Sequence, residues 1–249
     1  MIDRLVRLAW TGLSFTLFGL GALLFGLLYF PLLMLLVRDR QRRQDIARRS
    51  VSRLFRFFIG FMGLLVLTWR VDGLDQVGDT RRTLVVANHP SLIDAVFLIA
   101  LFPGADCVVK AAHWRNPLMR FAVQAANYIP NLDNEVLITT AIERLEQGGC
   151  LVLFPEGTRT RQDQPSQFKR GAAVIAARAA ADILPVRICC SPPTLRKGEP
   201  WYRIPAQKPH WTLEALPRIR PDDWQPADRS EKQNSIELTE VLKSRLACG

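Results

Sequence analysis

Thr83-Leu84-Val85-Val86-Ala87-Asn88-His89-Pro90-Ser91-Leu92-Ile93-Asp94 is the stretch on which the reading of the fold turns. Thr83 to Ala87 is a short apolar run of the kind that forms a strand buried on both faces. Asn88-His89-Pro90 is turn chemistry, because proline removes a ladder donor and pushes its predecessor out of the helical region. The apolar pattern resumes at once and predicts a helix over residues 91–101. Further strands are expected over 107–111, 150–154, 183–190 and 211–216. Helices are expected over 117–126, 135–147, 171–181 and 230–246, with Gly148-Gly149 stopping the second. Strands alternating with helices predict an α/β fold, a mixed and largely parallel sheet flanked by helices. In such sheets function collects at the C-terminal ends of strands.

Upstream the pattern differs. Residues 8–37 carry no charge, and a run of about thirty residues makes a helix of about 45 Å against about 30 Å of hydrocarbon. It can span with tilt, or bend near Pro31 and follow the interface. Residues 57–69 form a second apolar stretch, too short to cross comfortably and better suited to a re-entrant or interfacial helix. Gly12, Gly19 and Gly26 recur at heptad spacing and offer a close-packing face. The division expected is residues 1–70 as N-terminal membrane-anchoring helices and residues 71–249 as a cytosolic α/β domain. Arg38, Arg40, Arg42, Arg43, Arg48 and Arg49 follow the first run, against Arg4 and Arg7 before it. That asymmetry predicts the inner, cytoplasmic membrane with the C-terminal domain facing the cytoplasm.

The net charge of +10 over 249 residues suits an anionic membrane surface, a phosphate-bearing substrate or an acidic carrier. No nucleic-acid-binding motif or Lys-rich tail accompanies it, so nucleic acid is not an expected partner. Five cysteines, Cys107, Cys150, Cys189, Cys190 and Cys248, show no metal-finger spacing. Reduced thiols and no metal site are expected.

Two blocks carry chemistry. In the first, His89 follows a buried strand and Asp94 lies five residues on. A histidine takes a proton from a hydroxyl near neutral pH, and a carboxylate on its other ring nitrogen fixes the tautomer and stabilises the imidazolium. Taken alone, the two residues are also open to reading as a structural pair or as metal ligands. The second block is Phe154-Pro155-Glu156-Gly157-Thr158-Arg159. Its glycine permits close backbone approach, Thr158 supplies a hydroxyl, and Arg159 offers a fork to phosphate or carboxylate; alone, it is also compatible with an ordinary turn. Ser91 lacks the Gly-x-Ser-x-Gly elbow of an esterase nucleophile. His113 and His210 stand without motif partners, and Trp201, Trp211 and Trp224 read as loop and packing residues.

Together the blocks resemble the NHxxxxD and FPEGTR motifs of the glycerolipid acyltransferases, the family of the 1-acylglycerol-3-phosphate (lysophosphatidic acid) acyltransferases. The resemblance runs from Thr83 to Pro185 and takes in Phe168-Lys169-Arg170-Gly171 and Leu184-Pro185-Val186. It implies His89 as general base and Asp94 as its orienting partner, with Asn88, Ser91 and Pro155 supporting the motif turns. Glu156, Gly157, Thr158 and Arg159 would bind the acceptor, Lys110 would add a phosphate contact, and Leu184 and Pro185 would shape the site or an acyl groove. The implied reaction moves an acyl chain from acyl-CoA or acyl carrier protein to the hydroxyl of a lysophospholipid, without a cofactor. One departure bears on the acceptor. The family's second block carries a phosphate-gripping arginine, whereas Asn127-Tyr128-Ile129-Pro130-Asn131-Leu132-Asp133-Asn134 has none. A non-phosphate lipid, a carrier-bound hydroxyacyl chain or a non-catalytic lipid-binding module are the alternatives it leaves.

Overall fold

A computed structural model describes residues 2–116, 119–160, 167–224 and 229–248. The chain opens with α1 (Ile2–Leu24), a π-helical turn at Phe25–Tyr29, α2 (Phe30–Leu36) and α3 (Arg40–Leu65). There follow β1 (Thr68–Asp72), β2 (Thr83–Ala87), α4 (Asp94–Leu101), β3 (Asp106–Lys110), α5 (Ala111–Arg115), α6 (Arg120–Ala126) and β4 (Ile129–Asn131). The remainder comprises α7 (Asn134–Glu146), β5 (Cys150–Leu153), α8 (Gly171–Ala179), β6 (Asp182–Ser191), β7 (His210–Ala215) and α9 (Glu231–Arg245). These elements form two compact units, one of Met1–Leu67 with Ala95–Leu137, the other of Thr68–Asp94 with Ile138–Gly249.

In the first unit the apolar run stays helical through Pro31. Proline has no N–H and its ring crowds the carbonyl four residues back. The helix answers by widening just before it: Phe30 N–H bonds to Phe25 O, five residues back, within the π turn. By length and composition Ile2–Leu36 is able to cross a membrane. The next helix corrects the expectation for residues 57–69. α3 begins at Arg40, where Asp39 caps it by accepting from Arg42 N at 2.6 Å, and ends at Leu65, so Trp69 belongs to β1. Its buried side chains, Gln44, Ala47, Arg48, Val51, Ser52, Phe58, Ile59 and Met62, keep a helical period that hydropathy hides, since several are polar. α1 meets α3 through aromatic rings: Trp10 stacks on Phe61 at 4.8 Å and donates its indole N–H to Phe61 O, and Phe18 meets Phe58 at 4.8 Å. Gly19, expected on a close-packing face, is exposed with open space around it.

Arg48 is buried and fully committed. It donates to Ala126 O at 2.9 Å, to Gly104 O at 3.3 Å and to Asp106 Oδ1 at 2.5 Å. Burial of a cation is tolerated only with such pairing, and Ala126 ends α6, where the helix dipole favours positive charge. Around it lies a core of Phe30, Leu33, Val51, Ile99, Cys107, Val123 and Tyr128. β3 and β4 pair in parallel. The helix expected over 117–126 is seen from Arg120, and residues 117–118 lie outside the described residues.

The second unit holds a sheet in the order β1-β7-β6-β2-β5. β2 is parallel to both β5 and β6, β6 is antiparallel to β7, and β7 is parallel to β1. The mixed, largely parallel sheet expected from the alternation is therefore present. β2 is buried along its whole length, as its apolar run requires. α8 turns Ala172, Ala173, Ile175, Ala176 and Ala179 inward, and α9 packs on α8 behind a capping box at Ser230 and Gln233. Gly149 ends α7 by necessity: a Cβ there would lie 2.6 Å from Arg144 O. Reduced cysteines were expected throughout, but Cys189 is joined to Cys248 across a Cα separation of 5.9 Å. The fold brings the end of β6 beside the tail after α9, a proximity across 59 residues that spacing does not reveal. Cys107, Cys150 and Cys190 are free thiols.

Candidate active site

The site grows from the C-terminal ends of β2 and β5, which lie side by side and point the same way. Where the β2 backbone ladder stops, Asn88 continues it with its side chain. Its Nδ2 donates to Ile188 O and its Oδ1 accepts from Ile188 N, each at 2.7 Å. This two-point clamp on β6 fixes the direction in which the chain leaves the sheet and presents His89.

His89 is held on three sides. Its backbone N–H donates to Glu156 Oε1 at 2.8 Å, its ring stacks on Phe154 at 4.2 Å between centroids, and its Nδ1 lies 2.9 Å from Asp94 Oδ2. Asp94 is fully buried and is the first residue of α4, where the helix dipole favours a negative charge. It also receives Ser91 N at 2.6 Å on Oδ2 and Ser91 Oγ at 2.5 Å on Oδ1. A carboxylate surrounded by donors is an acceptor, so the proton of the His89–Asp94 bond sits on Nδ1. Nε2 is then the basic nitrogen, and it has no hydrogen-bond partner among the described residues. The side chain of His89 retains 16% of its exposure while Asp94 has none, so the imidazole meets the outside and its carboxylate partner does not.

The second block forms the turn that follows β5. Glu156 is buried, and both oxygens are taken: Oε1 by His89 N and Oε2 by Thr160 Oγ1 at 2.8 Å. Thr160 in turn donates its backbone N–H to His89 O at 2.8 Å. Glu156 and Thr160 thus bracket the His89 peptide. Thr160 stands one position past the quoted motif, so nothing in the block itself flagged it, and Phe154 was read only as a strand end. Gly157 has φ +67, a conformation that favours glycine, and a Cβ there would lie 3.3 Å from Lys169 Nζ. Lys169 is tied to the same turn by its backbone, which donates to Pro155 O at 2.9 Å. Thr158 makes no hydrogen bond among the described residues. Arg159 spends Nη1 on Leu195 O and Arg196 O, both at 3.1 Å, and Leu195 O also accepts Leu92 N at 3.0 Å.

Other expected residues belong to strands of the two units. Pro185 is buried in β6 opposite Val86, and Leu184 is opposite Val85 in the core. Lys110 ends β3 in the first unit, beside His113, whose ring is pushed below its usual pKa first by burial and then by the Lys110 charge. His210 bonds through Nδ1 to Thr68 Oγ1 at 2.8 Å and is exposed. Among the described residues no cluster of three or more His, Cys, Asp or Glu side chains is arranged to hold a metal ion.

The profile of the family described as Acyltransferase matches residues 68–189, from β1 to near the end of β6. A 1-acyl-sn-glycerol-3-phosphate acyltransferase from Helicobacter pylori is 30% identical over 165 residues, covering 62% of this chain and 66% of its own. The chloroplastic 1-acyl-sn-glycerol-3-phosphate acyltransferase of Arabidopsis thaliana is 25% identical over 124 residues, 47% of this chain and 35% of its own. The chain thus spans from about a third to two thirds of the length of these relatives. The crystal structure of the 1-acyl-sn-glycerophosphate acyltransferase from Thermotoga maritima shares the fold, with a TM-score of 0.65 over 100% of this chain and 98% of that one at 18% identity. With the two motif blocks folded around one imidazole–carboxylate pair inside the matched segment, the chain belongs to the acyltransferase family.

Proposed function

We propose that this protein is a membrane-associated O-acyltransferase that moves a fatty acyl chain from an acyl-thioester to the hydroxyl of a lysophospholipid such as 1-acylglycerol-3-phosphate. The observation that supports it best is the His89 ring, oriented by a buried carboxylate at 2.9 Å with Nε2 left unpartnered among the described residues. In this reading Nε2 takes the proton of the acceptor hydroxyl as its oxygen attacks the thioester carbonyl. The new C–O bond forms a tetrahedral oxyanion, which collapses, breaks the C–S bond and releases the thiolate. The imidazolium, held by Asp94, returns the proton to the departing sulfur. The acceptor oxygen is itself the nucleophile, so Ser91, whose hydroxyl is spent on Asp94, has no covalent part.

Acyl-CoA and acyl carrier protein are both anionic thioesters and suit the +10 chain equally. Arg159 and Lys110 are the proposed anion contacts. Glu156 is better placed to hold the His89 turn than to touch an acceptor, since both of its oxygens are engaged. Ile2–Leu36 is the proposed anchor of an N-terminal membrane segment, and the arginines that follow it favour a cytoplasmic catalytic domain. A second reading, an acceptor without phosphate, draws on Asn131 in β4, which stands in a segment with no arginine and is able to bond a hydroxyl or amide but not to neutralise phosphate.

The test is turnover. Purified protein in detergent is mixed with labelled acyl-CoA or acyl carrier protein and a panel of hydroxyl lipids. A new acyl ester that vanishes in a folded His89→Ala variant is expected. Free fatty acid without ester would indicate hydrolysis, and binding without turnover a non-catalytic module; either result refutes the proposal.

A further inference from the structure

Trp211 was expected to be a packing residue, and its surroundings hold more than that. It lies in β7 between Trp69 of β1 and Cys190 of β6, and is 1% exposed. Its indole Nε1–H donates to Ser91 Oγ at 3.3 Å. Ser91 Oγ stands 2.5 Å from Asp94 Oδ1, and the other Asp94 oxygen meets His89 Nδ1.

The direction of each bond follows from the groups themselves. An indole N–H only donates and a carboxylate only accepts, so the Ser91 hydroxyl, able to do either, accepts from Trp211 and donates to Asp94. The carboxylate already directs the Ser91 proton; the indole adds a second fixed point on Oγ, holds the rotamer of the Ser91 side chain and polarises the donor chain toward Asp94. An indole partner is not automatic in this protein: Trp114 and Trp224 each bury Nε1 with no hydrogen-bond partner among the described residues. Trp211 also lies beyond the segment matched by the family, which ends at residue 189.

We propose that Trp211 is a positioning residue of the catalytic site, locking the Ser91 hydroxyl in the orientation that pins Asp94 and, through it, the His89 ring. The inference rests on the acyl-transfer reading above. β7 thereby contributes to the chemistry although no residue of it touches the reacting atoms.

The experiment is a double-mutant cycle on the full-length protein in detergent, with Trp211→Phe, Ser91→Ala and the pair, measuring kcat and both KM values. Losing one neutral hydrogen bond of this kind should lower kcat roughly threefold to tenfold, with each KM held within about twofold. On the Ser91→Ala background the tryptophan change should cost nothing further, because the path to Asp94 is already cut. Unchanged kcat, or a loss that multiplies in full with that of Ser91→Ala, overturns the proposal. Should Trp211→Phe fail to fold, β-(3-benzothienyl)alanine at position 211 keeps the ring shape, replaces N–H by sulfur and is judged by the same outcomes. His89→Ala is run beside them. If it retains full turnover, the acyl-transfer reading falls and the positioning role with it. If it is inactive while Trp211→Phe turns over as the unaltered protein does, only the positioning role falls.

Discussion

Asp94→Asn isolates the charge of the buried acid from its shape. Asp94 accepts three hydrogen bonds, Ser91 N and His89 Nδ1 on Oδ2 and Ser91 Oγ on Oδ1. An asparagine keeping its oxygen at the Oδ2 position preserves the first two and turns an NH2 toward Ser91 Oγ. The His89 ring therefore remains near its place while the negative charge is gone. As the hydroxyl proton moves to Nε2, the imidazolium forms beside a neutral amide instead of a carboxylate. For charge centres about 4 Å apart at an effective dielectric near 20, that pair is worth about 4 kcal/mol, or roughly a thousandfold in rate. Substrate binding precedes charge formation, so the loss should fall on kcat with KM little changed. The assay follows thiol release from acyl-CoA colorimetrically, with ester formation checked by label, on protein whose far-UV circular dichroism and melting temperature match the unaltered chain. A loss below about tenfold in a correctly folded Asp94→Asn would refute the view that this carboxylate stabilises an imidazolium.

Glu156→Gln separates holding from binding: its single oxygen can keep His89 N–H, so kcat should fall roughly tenfold with acceptor KM unchanged, whereas a rise in KM alone would place the residue on the acceptor. Arg48→Met removes the cation that pairs with Asp106, 1% exposed, at 2.5 Å, and should cost about 3–5 kcal/mol of stability by urea denaturation. Adding Asp106→Leu should recover much of that loss, and a neutral single substitution would contradict the buried-pair account. Burial pushes the thiols of Cys107 and Cys190 from 9.0 up to about 12, with the Asp106 charge adding to the effect at Cys107. A raised folded-state value means the stability they contribute is whole below about pH 9 and lost as pH climbs toward 12. Urea midpoints should fall across that window, less steeply in Cys107→Ala, and a flat profile would count against thiol burial.

In the second unit β2, β5, β6 and β7 were legible because each holds a short apolar run bounded by turn residues. The expected strand at residues 83–87 coincides with β2, and the one at 183–190 sits inside β6. β1 was hidden because Thr68-Trp69-Arg70-Val71-Asp72 follows directly on an apolar helix end, and as an edge strand it needs no buried run. β4 is three residues long with Pro130 at its centre, which composition reads as a turn. α3 was missed over its first half because arginines outweigh its buried stripe. At the site, His89 and Asp94 were readable as adjacent members of one turn. Glu156 was readable as part of the motif turn, whereas its bonds to His89 N and Thr160 Oγ1 depend on tertiary placement that sequence does not state. The contributions of Thr160, Ile188 and Trp211 depend on tertiary pairing alone, and no local signal announces them.

The pieces that hold His89 come from neighbouring strands. Asn88 follows β2 and grips β6, Phe154 and Glu156 follow β5, and the sheet places β2 between those two strands. Because parallel neighbours are locked in register by their ladders, a residue just past one strand has a fixed offset from residues just past the next. The proposed base is thus positioned by three paired strands, with its support drawn from backbone and from side chains at their ends. Arg159 is different: it hangs from carbonyls of the 195–196 segment, which belongs to no strand or helix. The same Leu195 carbonyl accepts the Leu92 N–H, between His89 and Asp94, so that segment holds the proposed anion contact and the histidine loop together. In the proposed reading a change there should therefore reach kcat as well as the acceptor KM.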